Sequence, residues 1–506
     1  MSQTDNRRIV KNTVFLYFRM GISMLISLYT SRVILQILGV VDLGIYNVVG
    51  GITTIFTWLS GSLSNSTQRY LNFEIGQNKE GRLNDIFNQN FWIYAIFAGL
   101  SLIILETGGL WLIHNKLVIP ADRIEGAIWT LHATSFTLAV TLIGTVYDSV
   151  LIARENMKIY AYIGMLDVVL KLVIVYLLLL FPYDRLKVYA VLLSCVFVVS
   201  KLVTIVYCRI NYSECKLRFY WNQPLVKEML AFVGWNSVGT VVFILNNQGI
   251  DILLNMFFGP VVNAAKAISN QVRNVVLNFT SNFLTAVRPQ IVKKYAENDL
   301  KDFLDLIFNT SKYLFFIAWI LGFSIILRID SILYLWLKNV PDNTASFCIW
   351  VIIFIMINVV SDPLNTAYQA IGKQSKFIIY GSGIYALAFP LSYLAYKINL
   401  PPVSAFIILA IVRFIYLMVV SALLRDYVDF KYVRYLKEVF LPIFKVSGIS
   451  IIILLPMNFL LPDNIFGTIS AIAISVTCCI ILVYLFGLRQ SERHAIAKII
   501  KQKIHF

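Results

Sequence analysis

Charged residues are scarce in this 506-residue chain: 14% are Asp, Glu, Lys or Arg, and acids are the rarer sign, 27 against 43 basic residues. Four histidines (114, 132, 494 and 505) are scattered without metal-ligand spacing. No Walker lysine motif, nucleophile elbow or acid pair in a loop occurs. Those absences leave ATP hydrolysis, metal chemistry and nucleophilic catalysis without residues to perform them. The six cysteines (195, 208, 215, 348, 478 and 479) lie in or beside apolar stretches on one expected side of a membrane, which argues against a disulfide framework. Long loops are missing too. The longest connections run about 16–24 residues, too short for a soluble catalytic domain. The N-terminus, MSQTDNRRIVKNTVFLYF, has no small-residue cleavage site, so the first apolar segment is expected to stay in the mature protein.

What the chain has instead is apolar length. Hydrophobic residues make up 58% and the mean hydropathy is +0.75. Stretches of about 20 apolar residues, the span of a hydrocarbon core, fill nearly all of it. They predict an all-α polytopic membrane protein with about fourteen transmembrane helices: 12–38, 43–63, 88–113, 125–152, 160–181, 188–208, 229–256, 260–288, 306–328, 345–370, 376–397, 403–424, 441–460 and 465–487. Glu106 and His132 interrupt the third and fourth. With the N-terminus inside, inner loops and tails hold about 27 Lys/Arg and outer loops about seven. That bias predicts a multi-pass membrane protein with both termini cytoplasmic. It accounts for the net charge of +16 without nucleic acid.

A repeat is visible. Residues 38–87 (LGVVDLGIYNVVGG…STQRYLNFEIGQNKEGRLNDIF) have a counterpart in 258–308 (FGPVVNAAKAISNQV…TAVRPQIVKKYAENDLKDFLDLIF). In each, a glycine-marked outer turn (Gly39, Gly259) opens a polar-flecked helix that ends in a basic, Tyr-containing inner segment. Both first helices start inside, so the halves are expected to be parallel repeats, an arrangement in which transporters place substrate between the halves near the midplane. The expected organisation is an N-lobe over 1–210, a cytoplasmic connector over 211–228 and a C-lobe over 229–424. Spans 13–14 and a basic tail would occupy 425–506.

Six basic side chains stand out inside spans: Arg19, Arg32, Lys171, Lys266, Arg273 and Arg413. A cation at the bilayer centre costs about 2.5–3.5 kcal/mol on insertion scales, so each needs a partner or a wet cavity. In span 8, Asn263, Lys266, Asn270, Arg273 and Thr280 share one helical stripe that faces either a cavity or a neighbouring helix. Asp251 follows Asn246-Asn247-Gln248-Gly249, a polar break in span 7, and can reach Lys266 across the Gly259 turn as a salt bridge, a gating contact or a coupling carboxylate. In span 1, Arg19 shares a face with Ser23, Ser27 and Thr30, whereas Arg32 lies about 140° around the helix. Asp167 and Lys171 have i,i+4 spacing, that of a self-neutralising pair or of a proton or ion site. Arg413 has no acid in its own span, and either joins the cavity or pairs with Asp362.

The segment KNTVFLYFRMGISMLISLYTSRVILQILGVVDLGIYNVVGG, and WNSVGTVVFILNNQGIDILLNMFFGPVVNAAKAISNQV with its continuation SNFLTAVRPQIVKKYA, resemble the polysaccharide flippases of bacterial O-antigen and capsule export. These are grouped with lipid II flippases and multidrug extruders in one exporter superfamily. The resemblance implies two six-helix lobes plus a C-terminal helix hairpin in a V-shaped alternating-access exporter, not an enzyme. It implies translocation of undecaprenyl-diphosphate-linked oligosaccharide to the periplasmic leaflet through a cationic cavity, and this chain offers Arg19, Arg32, Lys266 and Arg273 for that role. Asn247, Asp251, Asn263, Asn270 and Arg413 are the further cavity or gating candidates, and Asp167 and Asp251 the candidate coupling carboxylates for H+ or Na+. No cofactor is implied. Besides the bilayer, the polymerase and chain-length proteins of the same pathway are the implied partners. A cation-coupled multidrug exporter is the alternative, although extruders of cationic drugs need acidic cavities. A membrane polysaccharide polymerase is a further one, and it would need a large outer catalytic loop.

Overall fold

The computed structural model describes residues 3–494, apart from 77–79, 155, 181–182, 373–374, 459–460 and 491; for 3–20, 22–25 and several shorter stretches it describes the helical backbone alone. The side chain of Arg19 and the basic tail beyond His494 therefore lie outside the described residues. The described residues are helical with no strand. They form two compact units, Met1–Ala267 and Ile268–Phe506.

In the first unit, α1 (Gln3–Thr54) is broken at Gly39, whose φ of 78° and ψ of 173° suit glycine alone. Then come α2 (Thr57–Gly76) and α3 (Glu80–Ile104). A π turn at Leu105–Gly109 leads into α4 (Leu110–Asn115). α5 (Ile124–Ala153), α6 (Met157–Leu180), α7 (Arg185–Asn211) and α8 (Gln223–Phe258) complete this unit before α9 (Pro260–Ala296), which runs on into the second. Gly259, between α8 and α9, has φ 80° and ψ −177°, the conformation of Gly39. The turns the sequence marks with glycine are thus made by the same backbone device.

The second unit continues with α10 (Leu300–Leu327), α11 (Ile329–Leu337), α12 (Thr344–Ile371), α13 (Ser375–Ala386), α14 (Ala388–Lys397) and α15 (Ser404–Leu423). Short α16 (Tyr432–Tyr435) precedes the hairpin of α17 (Leu441–Asn458) and α18 (Ile465–Leu482). The starts of α3 and α10, and of α5 and α12, are each as far apart in sequence as Gly39 is from Gly259. Packing repeats as well. α5 lies between α3 and α7 in the first unit, as α12 lies between α10 and α15 in the second, while α17 and α18 pack on α10.

Twelve helices among the described residues are long and apolar enough to cross a membrane, against an expected count of about fourteen. α2 and α9 are not among them. Their polarity explains this: α2 carries Ser60, Ser62, Ser64, Ser66, Thr67 and Gln68, and α9 the Asn/Lys/Arg stripe. Exposed faces elsewhere are strongly apolar, as at Leu180 (75%), Ile452 (74%) and Phe466 (80%). The chain is a multi-pass membrane protein whose outer surface is solvated by lipid.

Turn chemistry sets the helix starts. Asp299 caps α10 by accepting from the Asp302 amide at 3.1 Å, and Lys294 Nζ lies 3.2 Å from its carboxylate. The amide bond, and then the ammonium, hold the Asp299 carboxyl below its usual range. A depressed folded value stabilises above the unfolded value and is lost as pH falls through the folded one. The melting difference between wild type and Asp299→Ala is therefore expected to be full at neutral pH. It should shrink as pH falls below about 4, read by thermal unfolding in detergent across pH.

Candidate functional site

Because Gly259 turns the chain sharply, the end of α8 and the start of α9 face each other within the first unit. Lys266 Nζ lies 3.1 Å from Asp251 Oδ1 and donates to the Asn247 carbonyl at 2.7 Å. Asn263 Nδ2 donates to the Asp251 carbonyl at 2.7 Å. Asn247 thus contributes its backbone to the cluster. Lys266 is 2% exposed and Asn263 wholly buried, so in this conformation the ammonium is committed to an internal ion pair. Gln248 lies beside Gly51, where its Oε1 is 3.0 Å from the position a Cβ would take.

Arg273 lies two turns further along α9 and is half-buried, as is Asn270 between them. In the second unit Arg273 is within electrostatic range of the Tyr385 phenol. Arg413 meets the same tyrosine from α15, its guanidinium carbon 5.9 Å from that ring and 4.2 Å from the ring of Tyr416. Arg413 also donates to Ser361 Oγ at 2.8 Å and stands 4.0 Å from Asp362. Asn358 donates to that carboxylate at 3.3 Å, and Arg288 is within electrostatic range of it. Pro363 removes a backbone donor from α12 at this point. Arg413 thus pairs with Asp362, one of the two readings of the sequence, and shares Tyr385 with Arg273.

The remaining candidates are more dispersed. Lys171 pairs with Asp167 at 2.7 Å and lies 4.5 Å from the Phe197 ring centre, within the first unit. Arg32 is half-buried on α1 and takes part in no ion pair among the described residues.

Lys445 on α17 and two carboxylate-paired intramembrane cations escaped the sequence reading. Lys201 on α7 is paired with Asp148 of α5, and Lys312 on α10, 1% exposed along its side chain, lies 3.0 Å from Glu492. Each falls within an apolar span, which was the available signal, but its partner is far away in sequence. The interruptions at Glu106 and His132 explain each other: His132 Nδ1 is 2.7 Å from Glu106 Oε2, beside the π turn. Also missed was the polar run of α2, where Gln68 donates to Ser64 Oγ at 2.9 Å and Thr67 to Asn90 Oδ1 at 2.9 Å.

No protein-family model matches the chain, and no curated protein sequence matches it. Solved structures do. A structure described as "Lipid II flippase MurJ, inward closed conformation" superposes with a TM-score of 0.74 at 14% identity, covering 94% of this chain and 98% of that one. An inward-facing multidrug resistance MATE family transporter of the MOP superfamily gives 0.64 at 13% identity, covering 81% and 97%. A MOP superfamily transporter from Pyrococcus furiosus, described as having a binding pocket of reverse polarity, gives 0.52 at 15% identity, covering 80% and 95%. The chain has the α-helical transporter fold these proteins share.

Proposed function

We propose that this protein is a flippase for lipid-diphosphate-linked oligosaccharide. On this reading it carries an O-antigen, capsule or exopolysaccharide repeat unit on undecaprenyl diphosphate from the cytoplasmic to the periplasmic leaflet of the bacterial inner membrane by alternating access. The observation that carries the reading is the buried Arg413 of the second unit, beside Tyr385, Tyr416 and Asp362, with Arg273 within electrostatic range of Tyr385 and Arg288 of Asp362. Arg forks match phosphate oxygens and stay charged at any physiological pH. The tyrosines and asparagines beside them offer sugars hydrogen bonds. Extruders of cationic drugs need the opposite polarity, so this set disfavours a multidrug exporter on the same fold. The match to a lipid II flippase along 94% of the chain supports the lipid-linked substrate class.

In the second unit Arg273 and Arg413 are the proposed diphosphate ligands and Asn270 a sugar ligand; Arg19 and Arg32 of α1 are proposed as cations that meet the diphosphate on their own. Coupling to H+ or Na+ through Asp251 or Asp167 belongs to the same reading; each carboxylate must then exchange its lysine for the ion. Polymerase and chain-length proteins of the pathway are the proposed downstream partners.

The test is flipping in proteoliposomes with diphosphate-linked and uncharged lipid-linked sugars. Wild type is expected to move only the former, and Arg273→Ala to slow it tenfold or more, as expected for a lost charge-assisted bond of about 1.5–3 kcal/mol. Equal transport of both substrates, or full activity in Arg273→Ala, refutes the reading.

A further inference from the structure

The connector between α7 and α8 is a strap bonded to α3. From Lys216 to Asn222 it runs extended along α3 within the first unit, held by a ladder of side-chain amides. Asn84 Nδ2 donates to the carbonyls of Glu214 and Lys216, both at 2.8 Å. Asn88 Nδ2 donates to the Lys216 carbonyl at 3.0 Å, and its Oδ1 accepts from the Arg218 amide at 2.7 Å. Trp92 Nε1 donates to the Arg218 carbonyl at 3.1 Å, and Gln89 Oε1 accepts from the Asn222 amide at 2.6 Å. Residues 84, 88 and 92 recur every helical turn, so one face of α3 reads the strap's backbone as a neighbouring strand would. Arg218 pairs with Asp85, and Glu214 with Arg154 at 2.7 Å.

With the backbone of Lys216, Arg218 and Asn222 bonded to α3, the strap turns apolar side chains outward. Phe219 is 76% exposed, and Leu217 and Trp221 are each 42% exposed. Trp92 backs Phe219 with ring centres 5.5 Å apart. Lys216, Arg218, Arg209 and Lys227 are exposed around them. Large exposed aromatics interleaved with cations belong neither in bulk water nor in hydrocarbon; they match the headgroup layer, where rings enter the acyl boundary and ammonium groups meet phosphate.

We propose that the strap 216–222 is a binding site for anionic phospholipid headgroups of the leaflet it faces. α3 pre-organises it, and it recognises a phosphate through Lys216 and Arg218 and the acyl boundary through Leu217, Phe219 and Trp221. The proposal rests on the cytoplasmic-side orientation proposed above but not on the identity of the flipped substrate. Pre-organisation matters because a strap fixed before lipid arrives loses little conformational entropy on binding.

The test uses the full chain in nanodiscs of phosphatidylcholine alone or mixed with phosphatidylglycerol. Quenching of Trp221 by lipids brominated near the carbonyl is taken as the difference between wild type and Trp221→Phe. It is expected in both bilayers and to be stronger with phosphatidylglycerol. In detergent, titration with short-chain phosphatidylglycerol is expected to be saturable and to weaken about fivefold in Lys216→Gln, equivalent to about 1 kcal/mol per basic group at an anionic surface. Phe219→Ser should abolish the saturable phase yet keep the wild-type melting temperature, because that side chain is exposed. An unquenched Trp221, or unchanged titrations in both variants, overturns the proposal, including in favour of a protein partner. Both leaflets carry the same lipid and nothing is flipped, so failure here is distinct from failure of the transport reading.

Discussion

Lys266→Met is expected to be among the most destabilising single substitutions in the first unit. It leaves the Asp251 carboxylate, whose side chain is 12% exposed, without the ammonium 3.1 Å away, and deprives the Asn247 carbonyl of its 2.7 Å donor. Breaking a buried pair from one side costs about 3–5 kcal/mol, because the remaining charge stays desolvated. The double variant Lys266→Met/Asp251→Asn removes both charges and is expected to recover most of that loss, read by thermal unfolding in detergent. Flipping then separates two roles for Lys266. Since its ammonium is spent on Asp251 and Asn247, the double variant, assayed with no ion gradient so that coupling through Asp251 does not enter, is expected to transport within a few-fold of wild type, whereas Arg273→Ala is not. A folded double variant with no transport would put Lys266 among the substrate's ligands.

Gly44→Ala is expected to be comparably severe for a different reason. A Cβ there would lie 1.8 Å from the carbonyl oxygen and 2.5 Å from the carbonyl carbon of Pro260. Both atoms are backbone, so no rotamer relieves the clash and one chain must move. Gly44 follows the Gly39 turn as Pro260 follows Gly259; the two repeated turns touch here with no room for a methyl group. Overpacking of this kind costs about 1–3 kcal/mol and often more where backbone must shift. Gly61→Ala is the control, because a Cβ at this exposed position of α2 would meet nothing within 4 Å, and there alanine should stabilise by up to about 1 kcal/mol. Melting temperatures of the two variants should therefore move in opposite directions.

Both experiments address features that were partly legible beforehand. Glycine next to Leu or Phe at the end of an apolar span, found twice, marks Gly39 and Gly259 as turns, because few other residues adopt φ near 80°. Once Gly259 is a turn, Asp251 and Lys266 lie at similar heights on adjacent helices, and opposite charge in an apolar setting predicts their pairing. Asp167 and Lys171 are closer still, one helical turn apart. In contrast, Lys201–Asp148 and Lys312–Glu492 depend on which helices pack side by side. The amide ladder beneath the strap depends on an extended segment lying along α3, and no periodicity in 212–222 announces it.

Hydrophobic length and two glycine-marked span ends were enough to read a multi-pass helical membrane protein with a repeated turn. These are properties of composition along a line, and lipid enforces helix on any apolar stretch of sufficient length. Which carboxylate or ring each buried cation meets was a matter of helix packing. Lys171, Lys201, Lys266 and Lys312 are each matched to a carboxylate. Arg413 likewise stands 4.0 Å from Asp362, and it shares Tyr385 with Arg273. Charge neutralisation acts over a few ångströms in space, and outside a single helix or turn those ångströms are set by tertiary contacts that sequence spacing does not encode.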